Sequence, residues 1–255
     1  MLDPVLVALG FLVGAAVGLT GVGSGTLLTP LLILVAGSRP ALAIGTSVAF
    51  AALTKLAGTW QHARHGTVDG GLCLRLACGS VPGALLGARL VDLLQAADTA
   101  QADARLGLAL GLALLGAAGA SLLRAAGWSW SVSPGARPGW RGAAGLGLGI
   151  GLLVGLTSVG AGSLLTAALT LLYGLPAARL VGTVVAHGLL LDTVAATAHG
   201  LSGRVEPLLA SQLLLGSMPG VLLGSWLCGR LPGRPVRVGI AVMLALAGAR
   251  LARLL

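Results

Sequence analysis

The chain has 255 residues, of which 56% are apolar and only 9% charged, with a formal net charge of +9. A soluble domain covers its surface with about a quarter of its residues as charged groups, so a soluble globular fold is excluded. A nucleic-acid binder is excluded as well: fifteen of the sixteen basic residues are arginines, most of them in short loops, and aromatics are only 3%, too few for a stacking platform.

Apolar blocks in the first half run over residues 4–20, 26–37, 41–60, 70–91 and 104–123. The longer ones are about 20 residues, enough for a helix to cross a hydrocarbon core about 30 Å thick. The segment before them, with Asp3 and no basic stretch, does not resemble a cleaved signal peptide. Only a glycine-rich turn separates the first two blocks. A single helix from 4 to 37 would be about 50 Å long, too long for one crossing. Gly21, Gly23 and Gly25 supply the break, which makes the pair either two short spans or a re-entrant hairpin. The third block opens after Pro40 with Gly45-Thr46-Ser47. After the fifth, a stretch from Trp128 to Trp140 rich in Ser, Pro and Gly reads as a connecting loop with interfacial tryptophans. The second half then gives blocks at 142–157, 163–174, 178–200, 207–228 and 236–255. Cys73, Cys78 and Cys228 lie in or near these blocks without a CxxC pair and read as small core residues.

The halves are copies of one another. A shift of 137 residues lays Gly18 through Thr29 on Gly155 through Thr166, Gly45-Thr46 on Gly182-Thr183, and His62 on His199. It also lays Gly79-Ser80 and Pro82-Gly83 on Gly216-Ser217 and Pro219-Gly220. Leucines alone could match by chance, but this register of Gly, Thr, Pro and His is a repeat. The chain therefore divides into a first repeat at 1–126, a connecting loop at 127–140 and a second repeat at 141–255. An odd number of crossings per repeat places nine arginines on one side and six on the other. An even number divides them eight to seven. The positive-inside rule favours the odd count, with inverted repeats and both termini outside. The expected fold is an all-α polytopic membrane protein of two inverted repeats, with broken or re-entrant helices at the glycine-rich turns.

Each break opens a new helix. A helix N-terminus inside a membrane presents free backbone N–H groups and the positive end of a dipole, which suits an anion. On this reading Gly21, Gly23, Ser24, Gly25 and Thr26 in the first repeat, and Gly160, Gly162 and Ser163 in the second, form the binding turns. Thr20 and Thr157 add hydroxyls just before them. Small residues of this kind also let helices cross closely. Thr46, Ser47 and Thr183 either place a further helix start near the same site or bond back to the preceding turn. Lys55 and Asp192 hold the same position in the two repeats, and they are the Lys/Arg/Asp/Glu residues expected well inside a span. A charge there costs at least about 2.5–3.5 kcal/mol. They either pair across the pseudo-symmetry axis, or Lys55 attracts the anion while Asp192 exchanges a proton. His187 is five residues from Asp192 and on a different helical face, so it is a weaker candidate for proton coupling. His62, His65 and His199 lie near loop ends and read as interfacial. No cluster has metal-site spacing, and neither a cofactor nor a metal is expected.

The order of these motifs resembles the sulfite exporter family of TauE/SafE type. The match lies in Gly21-Val22-Gly23-Ser24-Gly25, Leu28-Thr29-Pro30 and Ala43-Ile44-Gly45-Thr46-Ser47. It continues through Gly58, Gly66 and Gly79-Ser80-Val81-Pro82-Gly83 with Gly87, and spans nearly the whole chain. The second repeat departs from the pattern at Ala167, in place of the proline, and at Val184, in place of the serine. The resemblance implies no enzyme but a multi-pass permease of the bacterial inner membrane. Its cargo would be sulfite, a sulfonate or a related sulfur-containing anion, exported with a proton or sodium ion as coupling ion. The rival classes are a passive anion channel and an intramembrane enzyme. The latter would need several converging carboxylates, Arg or His, and the chain offers Asp192 and little else.

Overall fold

The computed structural model describes residues 3–20, 24–126, 138–228 and 233–253. Among these residues there are ten α-helices and no strand. In chain order they are α1 (Pro4–Thr20), α2 (Ser24–Leu34), α3 (Pro40–Arg64), α4 (Gly70–Ala97) and α5 (Thr99–Ala125). The second half follows with α6 (Trp140–Thr157), α7 (Ser163–Tyr173), α8 (Ala177–Leu201), α9 (Pro207–Cys228) and α10 (Gly233–Arg253). Among the described residues six helices are long and apolar enough to cross a membrane. By contrast α2 and α7, at 11 residues each, reach only about 16 Å and cannot cross alone.

The helix ends follow from local chemistry. Gly66 and Gly203 follow the last turns of α3 and α8 with positive φ of 63° and 69°, a conformation in which a Cβ would be strained. The N–H of Thr67 returns to His62 O and that of Gly66 to Ala63 O; Arg204 and Gly203 do the same with His199 and Gly200. This double return satisfies carbonyls that a helix end leaves open. Asp69 caps α4 by accepting from the Leu72 N–H at 3.0 Å.

Packing joins the repeats instead of separating them. Helix α1 runs alongside α9, and α6 alongside α4. Gly10 and Gly14 lie against the backbone of Leu213 and Ser217, while Gly216, Gly220 and Gly224 lie against Val7, Phe11 and Ala15. In the other pair Gly147, Gly151 and Gly155 meet Leu76, Ser80 and Ala84. A side chain at any of these glycines would strike a carbonyl of the neighbouring helix, so the four-residue glycine spacing is what permits the approach. The other two major pairs are α3 with α8 and α5 with α10, elements that occupy equivalent places in the repeat. Both run antiparallel. Lys55 meets Asp192 while Thr59 meets Val185, and Gly107 lies near Leu251 while Gly111 meets Gly248.

Among the described residues two large apolar cores result, with a third, smaller cluster of Ala41, Ile44, Val91 and Leu106. One gathers Val13, Leu28, Leu32, Leu114, Leu213 and Leu244 from α1, α2, α5, α9 and α10. The other gathers Leu76, Val154, Leu165, Leu169, Val184 and Leu191 from α4, α6, α7 and α8. Outward, large apolar side chains such as Leu12, Leu56, Leu86, Leu215 and Leu222 are exposed. That surface suits lipid and would be an aggregation liability in water. Cys78 is also exposed and is therefore not the core residue its apolar surroundings predict.

Candidate functional site at the helix breaks

The second break shows how an apolar helix is interrupted. Thr157, the last residue of α6, directs its hydroxyl to Leu153 O at 2.7 Å and accepts from the Val159 N–H at 3.2 Å. Ser158 then turns left-handed with φ 63°, and Gly160 at φ 127° turns the chain again before α7 begins at Ser163. Thr166 closes the first turn of α7 by donating to Gly162 O. Thr29 does the same in α2, donating to Gly25 O at 2.9 Å. Both threonines thus bond back within their helices. Gly21 and Gly23, and the side chain of Thr20, lie outside the described residues.

The break of the second repeat faces the start of α2. A Cβ on Gly25 would collide with the hydroxyl and the carbonyl of Ser158. Ser24, Gly25 and Thr26 are all buried, and Ser24 shares a hydrogen bond with Thr54 at 3.3 Å. One residue on, Lys55 donates to Asp192, whose side chain is 2% exposed. The same ammonium lies 3.1 Å from where a Cβ on Gly188 would sit, and Ala161 O lies 3.5 Å from that point. The start of α2, the α6–α7 break and the ion pair therefore meet in one place. Three buried hydroxyls, those of Ser47, Ser158 and Ser163, have no hydrogen-bond partner. Ser47 sits seven residues before Thr54, on the same face of α3.

The other expected site residues go elsewhere. Thr46 Oγ1 accepts from the Glu206 N–H at 3.2 Å, and Thr183 Oγ1 accepts from the Asp69 N–H at 3.0 Å. Each threonine thus holds the start of a helix belonging to the opposite repeat. The ring of His187 turns to α4, where Nε2 pairs with Ser80 Oγ at 2.9 Å, away from Asp192. Among the described residues no group of His, Cys, Asp and Glu could hold a metal ion.

A model of the family described as "Sulfite exporter TauE/SafE" matches residues 6–251. The chain belongs to the TauE/SafE family. It is 38% identical over 253 residues to "Probable membrane transporter protein YjnA" of Bacillus subtilis, covering 96% of this chain and 98% of the relative. It is 27% identical over 268 residues to "Probable membrane transporter protein YunE" of the same organism, covering 97% and 96%. No solved structure matches. This TauE/SafE chain is a multi-pass membrane transporter and not an enzyme.

Sequence reasoning missed one cluster in this transporter. Arg204, assigned to a loop, is only 6% exposed. Its guanidinium donates to His199 Nδ1 at 2.9 Å, to Ala88 O at 3.2 Å and to Asp92. His199 Nε2 approaches Gly155 O at 2.8 Å, so this histidine is buried and not interfacial as its position near a loop suggested. Lys55 and Asp192 are not the only charges drawn inside, because α4 extends to Ala97, past the end of its apolar block, and carries Asp92 with it. The available signal was a histidine five residues before an arginine, which periodicity does not flag. Ser158 was missed as well, although it replaces Gly21 of the first repeat and a serine in a left-handed turn is uncommon.

Proposed function

We propose that this TauE/SafE transporter moves a small sulfur oxyanion, sulfite or a sulfonate, outward across the cell membrane together with a coupling ion. The observation that carries this reading is the buried Lys55–Asp192 pair at the meeting point of the α2 start and the α6–α7 break. The N-termini of α2 and α7 offer backbone N–H groups and the positive ends of two helix dipoles. Lys55 is the cation nearby, and Asp192 occupies it in the resting pair. Protonation of Asp192 removes the carboxylate charge and frees the ammonium for an anion. Arrival of the anion and arrival of a proton then become one event. Loss of the proton restores the ion pair and expels the anion. Opposed repeats would let the site face each side in turn by rocking, and the antiparallel packing of α3 on α8 and of α5 on α10 supports that arrangement.

The test is uptake of radiolabelled sulfite, sulfate and a small sulfonate into proteoliposomes, with and without an imposed proton gradient. Gradient-dependent accumulation of sulfite or the sulfonate is expected. Flux of none of the three would overturn the sulfur-anion reading. Flux indifferent to the proton gradient, and to a sodium gradient imposed in its place, would overturn the coupling and leave a passive channel.

A further inference from the structure

We infer that Ser158 and Ser163 read the oxygens of the cargo, so that the site takes an anion with several acceptor oxygens on one centre and discriminates against a halide. This rests on the anion reading above and adds the residues that select the substrate class. Both hydroxyls are buried, at 3% and 4% exposure, and neither has a hydrogen-bond partner. Buried polar groups in folded proteins are nearly always paired, because an unpaired one loses its hydration without compensation. Two such groups five residues apart, on either side of a helix break, ask for an acceptor that the protein itself does not supply.

Ser158 carries a second penalty. It is the one non-glycine residue with positive φ among the described residues, and the first repeat has Gly21 at the matching position. Glycine would adopt this turn without strain. What serine adds is a hydroxyl set against the first turn of α2 at Gly25, where free N–H groups and the positive end of the dipole already favour negative charge. Ser163 opens α7 on the other side of the break. The carbonyl of Ala161, between the two serines, lies 3.5 Å from the point beside Gly188 that the Lys55 ammonium approaches to 3.1 Å. The break thus carries its two unpaired hydroxyls into the neighbourhood of the Lys55 ammonium. The oxygens of a sulfite or sulfonate group spread around a central sulfur and can meet such donors individually. A halide offers a single centre.

The test uses purified full-length protein in detergent, with sulfite, methanesulfonate and chloride as titrants in calorimetry. Ser158→Gly and Ser163→Ala are each expected to weaken binding of both sulfur anions by about tenfold, the effect of losing one charge-assisted hydrogen bond. Chloride affinity should stay within about twofold, and Ser163→Thr, which keeps the hydroxyl, should retain sulfite binding. Ser158→Gly restores the residue of the first repeat, so its unfolding temperature should not fall, and weaker binding in this variant cannot be put down to misfolding. Wild-type affinity for both sulfur anions in both variants would overturn the assignment of the serines. An equal loss for chloride would overturn the selectivity. If the unaltered protein binds neither sulfur anion, the underlying anion reading itself fails, an outcome distinct from the other two.

Discussion

Two corners of the molecule are built on the same backbone plan and differ in charge. In one, Gly182 at the start of α8 lies against the Thr67 carbonyl, Thr183 accepts from the Asp69 N–H, and His62 bonds the Thr67 hydroxyl at 2.9 Å. In the other, Gly45 at the start of α3 lies against the Arg204 carbonyl, Thr46 accepts from the Glu206 N–H, and His199 bonds the Arg204 guanidinium. The shift of 137 residues carries one set onto the other. Thr67 has become Arg204, and where the first repeat has Asp92 the second has Gly229. The backbone of each corner is thus set by Gly-Thr and by the glycine turn. The energy holding it closed depends on whether the side chain beyond the turn is neutral or charged. A neutral hydroxyl pair separates into water at little cost. A buried guanidinium cannot be stripped of its carboxylate without a large penalty. A cavity of about 170 Å³ lined by Asp69, Arg75, Pro138 and Tyr173 adjoins the neutral corner, next to the N–H that Thr183 holds.

The comparison can be broken at several points. The largest effect belongs to the α3–α8 contact between the corners, where Lys55→Ala or Asp192→Ala leaves its partner charged and unpaired inside the membrane. Each should cost about 3–5 kcal/mol in thermal unfolding of the purified protein and abolish the anion flux proposed above. The swapped pair, Lys55→Asp with Asp192→Lys, should recover most of the stability but not the transport. Full transport by the swap would make the pair a structural strut. Next, Asp92→Ala should destabilise by about 3 kcal/mol, because Arg204 is left without its carboxylate; the low end applies since Asp92 is 26% exposed. At the neutral corner His62→Ala should cost only about 1 kcal/mol. Equal losses at the two corners would show that both are held with the same strength. The smallest effects serve as the control: Thr46→Val and Thr183→Val each leave one N–H unpaired at a helix start. Both should cost about 1 kcal/mol, and a difference between them above about 0.5 kcal/mol would show that the corners differ in backbone as well as in charge.

Much of this was legible before any coordinates. The small residues at the breaks were a sign of close helix crossing, because only small side chains allow it, whereas the register of Gly79, Gly83 and Gly87 and of Gly147, Gly151 and Gly155 passed unread among the many glycines. The spacing does not say which helix lies opposite, and the partner of each is a helix of the other repeat. Boundaries at the third and eighth helices were within a few residues, because proline begins the one and directly precedes the other, and glycine follows both. Lys55 and Asp192 stood out as charges in apolar runs, and their matched positions suggested the pairing. Arg204 and Asp92 escaped notice because each lies at the edge of a polar segment, where charge is normally solvated.

The sequence by itself determined the membrane as solvent and the positions of the breaks. Each of these is a one-dimensional property: hydropathy summed over a span, and glycine where a helix cannot continue. Only the tertiary structure decided what the breaks face. Thr46 and Thr183 were drawn away to hold the opposite repeat's helices, Ser158 was set against α2, and His187 was turned toward Ser80. The physical reason is that a hydroxyl or imidazole in an apolar helix takes whichever partner the neighbouring helix brings within about 3 Å. That neighbour is chosen by side-chain packing between segments more than 100 residues apart.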